Sequence, residues 1–313
     1  MSLVPDAGKY SGTDSNTLTI IDFQSTEEGD YYCEVTNTKG MATSDTASLL
    51  LAQLVSHWTF NTGDLLTDTV GSNDGAAFGP SGPTYATGKI GDQAISLDGT
   101  EPNNVVVVPY AFGLNTGQLT VSLWAKVAGG SGEWRTPLGS RSESSVNTRG
   151  YNLYASSSDT WEFWTGASDG LYWNATGNAP VVEDEWTFLV ATYDAATLVK
   201  QLYVNGALNA ETTLDAAVPL NVSPNALQIG GNGNSASVTA YIFNGSIDDV
   251  KVYSYVLDKY QVADLYIDVQ GGWVCTDPPS YDKNGDCIVG IDDFAAIAAK
   301  WMDCNIYPPE ECP

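Results

Sequence analysis

The chain has 313 residues, of which 43% are apolar and 11% aromatic, so it is long enough for two or three domains with substantial cores. Its formal net charge is −26, from 38 acidic against 12 basic residues. Such a surface repels nucleic-acid phosphates and anionic lipid headgroups, and no apolar run is long enough to span a bilayer. We therefore expect neither nucleic-acid binding nor membrane insertion, whereas clustered carboxylates suit cations, above all calcium.

The first segment, residues 1–51, alternates through residues 18–21 and then contains the order acidic-x-Gly-x-Tyr-x-Cys at residues 27–33. That order resembles the end of an immunoglobulin-like domain, in which the Tyr two residues before the second Cys forms a tyrosine corner. Tyr31 and Cys33 match those positions. The first Cys and its Trp are absent, so the resemblance covers half a domain and leaves Cys33 without a local partner. The alternative is a single hairpin.

Short segments of alternating or β-branched residues recur across residues 54–268 and are separated by turn residues. They lie at 55–60, 93–97, 105–108, 119–126, 186–193, 200–204, 227–231 and 246–253. Asn205-Gly206 is a strong hairpin signal. Regular short strands with intervening turns predict an all-β sandwich, and only residues 258–266 predict a short helix.

The ordered set of segments resembles the laminin G-like and concanavalin-like jelly rolls. The resemblance is carried by residues 57–60, 94–99, 120–126, 186–193, 203–206 and 243–253, and by a closing turn and short helix over 256–266. It covers about two thirds of the chain and implies a jelly-roll sandwich over residues 54–268.

The third segment, residues 269–313, follows a Gly- and Pro-containing linker and holds a short acidic loop. Oxygen-bearing side chains stand at loop positions 1, 3, 5 and 12 as Asp282, Asn284, Asp286 and Asp293, and position 7, Ile288, offers its backbone carbonyl. This is the ligand pattern of an EF-hand calcium loop. The helix predicted to follow carries Phe294, Ile297, Ala298 and Trp301 on one face.

This loop and helix resemble one repeat of a dockerin, which implies calcium and a cohesin-like protein partner. Two features depart from the family: Cys287 replaces the usual Gly at loop position 6, and a second repeat is missing. Four of the five cysteines lie in this segment without paired zinc spacing, which indicates disulfides in an oxidising compartment. Their pairing stays open.

A second calcium site is expected in the jelly roll. Asp68, Asn73 and Asp74 fall in one Gly-containing loop, and in related jelly rolls a structural calcium joins such a loop to the last long strand. By that resemblance Asp248 or Asp249 completes the site; strand alternation puts Asp248 on the face of Val250. The alternative is that these acids cap backbone amides in turns.

Aromatic residues are concentrated between residues 134 and 173, where a sugar ring would find faces to stack on. We expect Trp161, Trp164, Tyr172 and Trp173 to line a ligand site. Arg141, together with Arg149, is a candidate to bind a carboxylated or sulfated sugar; the alternative is that both arginines pair with surface acids.

Catalytic signals are weak. His57 is the single histidine and lies at the start of a strand beside Trp58 and Phe60, where a structural role is expected, and no G-x-S-x-G turn is present. The acidic run at residues 183–185 lies in a turn, and Asp248-Asp249 has no Glu nearby, so a glycosidase pair of facing acids is not indicated.

The sequence therefore predicts a non-catalytic, calcium-stabilised carbohydrate-binding module that is secreted or held at the cell surface. Because the chain shows no signal peptide, we expect it to derive from a longer precursor. The alternatives are an adhesion or scaffolding module that binds extracellular protein or acts as a spacer, and, less favoured, a glycoside hydrolase.

Overall fold

The computed structural model describes residues 5, 7–45, 47–49, 51–79, 82–100, 104–144, 147–166, 173–220, 225–232 and 241–300. The strands before the sandwich are β1 (Tyr10–Ser11), β2 (Thr19–Ile20), β3 (Gly29–Tyr31), β4 (Glu34–Asn37), β5 (Gly40–Thr43) and β6 (Ala47–Leu49). Those of the sandwich are β7 (Leu54–Trp58), β8 (Ala76–Phe78), β9 (Thr84–Thr87), β10 (Gln93–Asp98), β11 (Val105–Val108), β12 (Gln118–Val127), β13 (Arg135–Ser144), β14 (Asn147–Ala155), β15 (Thr160–Gly166), β16 (Trp173–Pro180), β17 (Trp186–Asp194), β18 (Val199–Val204), β19 (Ala207–Thr213), β20 (Leu227–Ile229) and β21 (Asn244–Tyr253). Two helices follow, α1 (Lys259–Gln270) and α2 (Ile291–Ala298).

Two antiparallel sheets form the sandwich. One has eight strands in the order β19-β18-β17-β12-β21-β10-β9, with β7 also paired to β21. The other has seven strands in the order β16-β15-β14-β13-β20-β11-β8. The predicted all-β, jelly-roll-like sandwich is confirmed.

The core lies between the two sheets because alternate residues of each strand point inward. On β12 the residues Leu119, Val121 and Leu123 are fully buried in it, and on the facing sheet Leu153 and Phe163 are buried against them in the same cluster.

Helix α1 covers the outer face of the eight-stranded sheet. Trp124 of β12 stacks on Tyr266 of the helix, with ring centroids 5.8 Å apart, and packs against Phe188 of β17. The carboxylate of Asp258 caps the helix by accepting hydrogen bonds from the amides of Tyr260 and Gln261. The helix is longer than residues 258–266, since Val269 also packs on this face.

Neither helix in the described part of the chain is long and apolar enough to cross a bilayer.

The residues before the sandwich form three two-stranded sheets, β1-β2, β3-β6 and β4-β5. Tyr31 Oη donates a hydrogen bond of 2.7 Å to the Glu27 carbonyl, which is the contact that defines a tyrosine corner. The Cys33 thiol is exposed and forms no disulfide with a described cysteine. The immunoglobulin-like assignment stays a prediction, as do the three predicted segment boundaries.

Lys200 of β18 is fully buried between the sheets. Its Nζ donates a 2.5 Å hydrogen bond to the Asn174 carbonyl of β16 and lies 3.4 Å from Thr165 Oγ1 of β15. Burial lowers the pKa of this ammonium group to about 7. The folded chain therefore binds this proton less tightly than the unfolded chain, whose lysine titrates near its ordinary value of 10.5.

Replacing Lys200 by Met is expected to raise the melting temperature at pH 7. Between about pH 7 and pH 10.5 the buried amine is neutral in the folded chain but protonated in the unfolded chain. Raising the pH through this range therefore stabilises the wild type, and the difference in melting temperature between Lys200→Met and the wild type shrinks toward pH 10. We expect a change of at least about 1.4 kcal/mol, or roughly 3–6 °C, in melting curves recorded at both pH values. Lys126→Met, at a partly exposed position, is the control. A Lys200→Met advantage that does not change with pH would contradict this account.

Candidate functional site

The outer face of the seven-stranded sheet carries the candidate site. Alternation along β15 sends Trp161 and Phe163 into the core and Glu162 and Trp164 outward. On the neighbouring strand β14, the register pairs Asn152 with Trp164 and places Tyr154 opposite Glu162, so both also face outward.

Four aromatic rings meet on this face. Trp134, which directly precedes β13, contacts Tyr154 and Trp164 edge-on, with ring centroids 5.0 and 5.3 Å away. Tyr154 and Trp164 are 5.7 Å apart, and Tyr241 lies 6.1 Å from Tyr154. Tyr241 arrives here because the Thr136 amide donates to its carbonyl, next to an isolated bridge between Thr136 and Ile242.

Arg141 of β13 extends the ring group along the sheet. Its guanidinium carbon lies 5.3 Å from the ring centroid of Trp173 and 5.9 Å from that of Tyr241, within the range of cation–π attraction. We call these residues the outer-face cluster: Trp134, Arg141, Tyr154, Trp164, Trp173 and Tyr241. Tyr241 is 41% exposed and the three tryptophans are half-buried, so aromatic surface of the cluster reaches solvent.

A buried clamp holds the loop that presents Trp134. The neighbouring Arg135 is 1% exposed and donates to the Gly129 carbonyl and, at 2.5 Å, to Asp159 in the β14–β15 turn. Hydrogen bonds from Ser131 and Arg135 lower the pKa of Asp159, so the carboxylate stays charged opposite the guanidinium. This pairing fixes Trp134 over the strands that carry Tyr154 and Trp164.

Polar groups accompany the rings. Glu162 accepts hydrogen bonds from Trp164 Nε1 at 2.7 Å and from Thr160 at 2.9 Å. The Asn232 amide donates to Tyr154 Oη, and burial raises the pKa of that phenol to about 12. A neutral phenol and amides are hydrogen-bonding partners suited to hydroxyl groups.

The ligand residues predicted from the sequence lie in different parts of the structure. Trp164, Trp173 and Arg141 are brought together in the outer-face cluster. Trp161 is a correction: its indole is 1% exposed in the core, so it offers no face to a ligand. Tyr172 lies outside the described residues.

Sequence reasoning did not select Trp134, Tyr154, Tyr241, Asn152 or Asn232. Trp134 and Tyr154 lie in the aromatic-rich stretch and could have been chosen from composition. Tyr241 and Asn232 come from distant sequence and carry no local signal.

The predicted calcium loop in the tail converges on one point. Asp282, Asp286 and Asp293 each place a carboxylate oxygen within 4.8 Å of the others. Two oxygens that bind the same calcium at 2.3–2.6 Å lie within about 5 Å of each other, so this spacing fits the ion. Asp293 is 1% exposed, and N–H donors from Gly290 and Lys283 lower its pKa, which keeps the carboxylate ionised.

The rest of the loop is folded to orient these groups. The Cys287 amide donates to Asp282 at 2.7 Å, the Ile288 amide donates to Asp286, and the Asn284 side chain bonds Asp286. Cys287, at loop position 6, has φ +64°, a conformation that favours glycine, and its sulfur is bonded to Cys275. Cys304, Cys312 and Trp301 lie outside the described residues.

Among the described residues, the acids expected to bind calcium in the jelly roll do not form a converging group. Asp68 accepts hydrogen bonds from the amides of His57, Val70, Gly71 and Asn73, which organise its own loop, and Asp74 accepts the Asp68 amide. Burial raises the pKa of Asp68, but these donors outweigh it and the net pKa is lowered. Asp68 and Asp74 therefore act as caps of backbone amides in their loop, which is the alternative expected from the sequence.

Asp248 serves a different loop. It is fully buried and accepts the amides of Lys89 and Ile90 at 2.7 and 2.8 Å. Burial raises its pKa to about 6. A bulge, marked by Asp249 at φ +50° and a shift of register between β12 and β21, turns Asp248 away from the core face of Val250, contrary to simple alternation.

Asp249 binds the single histidine. His57 Nε2 lies 2.6 Å from Asp249, and Lys251 Nζ lies 2.5 Å from the same carboxylate. Burial raises the pKa of Asp249, but these two partners outweigh it and the net pKa is lowered. His57 thus belongs to a hydrogen-bonded group with Asp249 and Lys251, and the acids at 183–185 are exposed in a turn.

Comparison with known proteins places the sandwich in a family. The Laminin_G_3 model, described as the Concanavalin A-like lectin/glucanases superfamily, matches residues 98–263, which is more than half of the chain. No curated protein matches the chain.

Several solved structures share the fold. Domain 4 of an extracellular GH43 arabinanase from Geobacillus stearothermophilus, solved with arabinotriose, is 23% identical with a TM-score of 0.52, over 69% of this chain and 98% of that chain. The binding domain of Paraclostridial mosquitocidal protein 1 is 14% identical with a TM-score of 0.54, over 74% and 56% of the two chains. The binding domain of botulinum neurotoxin DC, solved with SialylT, is 13% identical with a TM-score of 0.53, over 69% and 52%. At these identities the likeness is one of fold.

Proposed function

The chain belongs to the concanavalin A-like lectin/glucanases superfamily, and we propose that it is a non-catalytic extracellular module that binds carbohydrate at the outer-face cluster. The observation that carries the proposal is that the partly exposed rings of Trp134, Trp164, Trp173 and Tyr241 converge with one guanidinium on the sheet face that helix α1 does not cover. Sugar rings have an apolar side that stacks on such faces, while their hydroxyls need hydrogen-bonding groups beside them.

The solved complexes of similar fold support a glycan ligand, since the arabinanase domain was solved with arabinotriose. A binding role is favoured over hydrolysis because a glycosidase needs two carboxylates facing each other across the substrate. The carboxylate of Glu162 is instead engaged by the cluster's own Trp164 and by Thr160. The Cys275–Cys287 disulfide supports an oxidising, extracellular location.

We propose that the tail binds one calcium through Asp282, Asn284, Asp286, the Ile288 carbonyl and Asp293. The support is the carboxylate spacing together with the deep burial of Asp293. Bound calcium would cancel the repulsion between the three carboxylates and thereby hold the loop against the start of α2.

A second candidate function is adhesion or scaffolding through a protein partner. In this proposal residues 1–51 are half of an immunoglobulin-like domain, and the tail is a dockerin-like repeat that binds a cohesin-like partner. The observation that favours it is the apolar surface on α2, where Ile291 is 76% and Phe294 62% exposed. Solvent-facing apolar side chains grouped on one helix mark contact surfaces.

Carbohydrate binding is tested by titration calorimetry with arabinotriose, xylotriose, cellotriose, galactotriose and sialyllactose. We expect at least one sugar to bind, and Trp164→Ala to weaken that binding at least tenfold, about 1.4 kcal/mol, because a stacking face is lost. Tyr241→Ala, at a more exposed position, repeats the test in a variant that leaves the core intact.

Phe294→Ala and Trp273→Ala are the matched controls, since both remove exposed aromatic rings from the tail. The carbohydrate proposal fails if no sugar binds, or if the tail variants weaken binding as much as the cluster variants.

Calcium binding is tested by calorimetric titration of the chelated protein with CaCl₂. We expect one site, lost in Asp286→Ala and Asp293→Ala, because each removes an oxygen of the converging group. Asp292→Ala is the control: it lies beside Asp293 on the same helix but outside the group. Equal losses in all three variants, or no binding heat in the wild type, would argue against the site.

A further inference from the structure

Two buried amide side chains next to the outer-face cluster have atoms that lack partners among the described residues. Asn152 is fully buried, and neither its Nδ2 nor its Oδ1 has a hydrogen-bond partner among the described residues. Asn232 is 1% exposed, and its Oδ1 likewise has none, while its Nδ2 donates to Tyr154 Oη. Buried polar groups in native proteins are nearly always paired, so a molecule beyond the described chain is expected to satisfy these atoms.

The strand register puts these atoms beside the rings. One row across the sheet runs Gln228, Gly139, Asn152, Trp164, Ala175. Gly139 carries no side chain, and a Cβ built there would lie 2.5 Å from Asn152 Oδ1. The amide of Asn152 therefore occupies the space above Gly139, directly next to Trp164.

The chemistry of an amide selects a class of ligand. Asn152 offers two N–H donors and one carbonyl acceptor, and all are unpartnered. A sugar hydroxyl both donates and accepts and so can satisfy both ends, whereas a carboxylate only accepts and would leave Oδ1 facing a negative charge. The carboxylate of Glu162 already lies beside Trp164 and would repel an acidic sugar, as would the net charge of −26 on the chain as a whole.

Arg141 is the cation of the cluster, and it lies over the rings of Trp173 and Tyr241. Its guanidinium would attract an acidic sugar, whereas the carboxylate of Glu162 would repel one, so the Arg141→Gln variant separates these two effects.

We propose that the site binds neutral oligosaccharides through their hydroxyl groups, and that the Asn152 amide forms hydrogen bonds with one of these hydroxyls. This inference rests on the proposed carbohydrate-binding function. It predicts that the ligand-free protein holds an unsatisfied amide that only the bound sugar pairs.

The experiment compares a neutral with an acidic sugar in two pairs. Galactotriose carries a hydroxymethyl group on each ring where trigalacturonic acid carries a carboxylate; the second pair is the neutral arabinotriose and the acidic sialyllactose. Affinities are measured by calorimetry for the wild type, Asn152→Leu and Arg141→Gln, and melting curves are recorded without ligand. We expect the neutral member of a pair to bind at least tenfold tighter, and Asn152→Leu to weaken that binding at least tenfold.

Stability supplies a second readout, because a leucine of similar shape removes the unpaired amide. We expect the ligand-free Asn152→Leu variant to melt at the same or a higher temperature than the wild type. Asn209→Leu is the contrasting control. Asn209 of β19 is hydrogen-bonded to Asn178 of β16 and is not part of the outer-face cluster, so its loss should lower the melting temperature and leave affinity unchanged.

Three results would overturn the inference. If the acidic sugars bind tighter and Arg141→Gln abolishes that binding, the ligand is anionic, although the site still binds carbohydrate. If Asn152→Leu lowers the melting temperature and leaves affinity unchanged, the amide is satisfied within the protein by water. If no sugar binds at all, the carbohydrate proposal falls together with this one.

Discussion

Period-two alternation along β14 and β15 is the constraint on which the rest depends. It sends Leu153 and Phe163 into the core and leaves Tyr154 and Trp164 on the outer face. A slip of one residue in either strand would exchange these sets, because every side chain would move to the other face. The same register that builds the core therefore builds the candidate site.

The two outer faces of the sandwich have different surroundings. Helix α1 packs its Tyr266 and Val269 on Trp124 and Phe188, so the eight-stranded sheet is covered on both sides. On the seven-stranded sheet the aromatic residues of the outer-face cluster contact one another, and all of them except the buried Tyr154 remain partly exposed. Rings that pack only on rings present edges and faces to solvent, which is the property that a stacking ligand requires.

Carboxylates in this chain have two distinct uses, and what separates them is whether their oxygens converge on one point. Asp68 and Asp248 each gather several N–H donors from one loop and act as loop organisers within the sandwich. Asp282, Asp286 and Asp293 instead point toward one another, an arrangement that is repulsive without a cation. Sequence alone does not distinguish the two uses, since both rely on Asp in Gly-containing loops.

Much of the fold was predictable from the sequence, because buried strands with regular alternation leave a clear pattern. Residues 119–126 and 186–193 predicted β12 and β17 almost to their ends. Strand β13 left no such pattern, since it contains Pro137 and Gly139 among polar residues.

The candidate site was predictable only in part. Trp164 and Trp161 look alike in sequence, and their opposite orientations follow from which face the neighbouring strands bury. Tyr241 reaches the outer-face cluster through a bridge between Thr136 and Ile242, which are more than 100 positions apart, and the face of Asp248 is set by a bulge. Neither long-range pairing nor a bulge has a reliable local signature.

The most direct test of the central claim is to follow the indole N–H signals of the nine tryptophans by NMR while adding the tightest-binding sugar. If the outer-face cluster is the binding site, the signals of Trp134, Trp164 and Trp173 shift, and those of the core residues Trp58 and Trp161 and of Trp124 beneath α1 do not. Shifts confined to Trp273 or to Trp124, at saturating sugar, would place the site elsewhere and contradict the account.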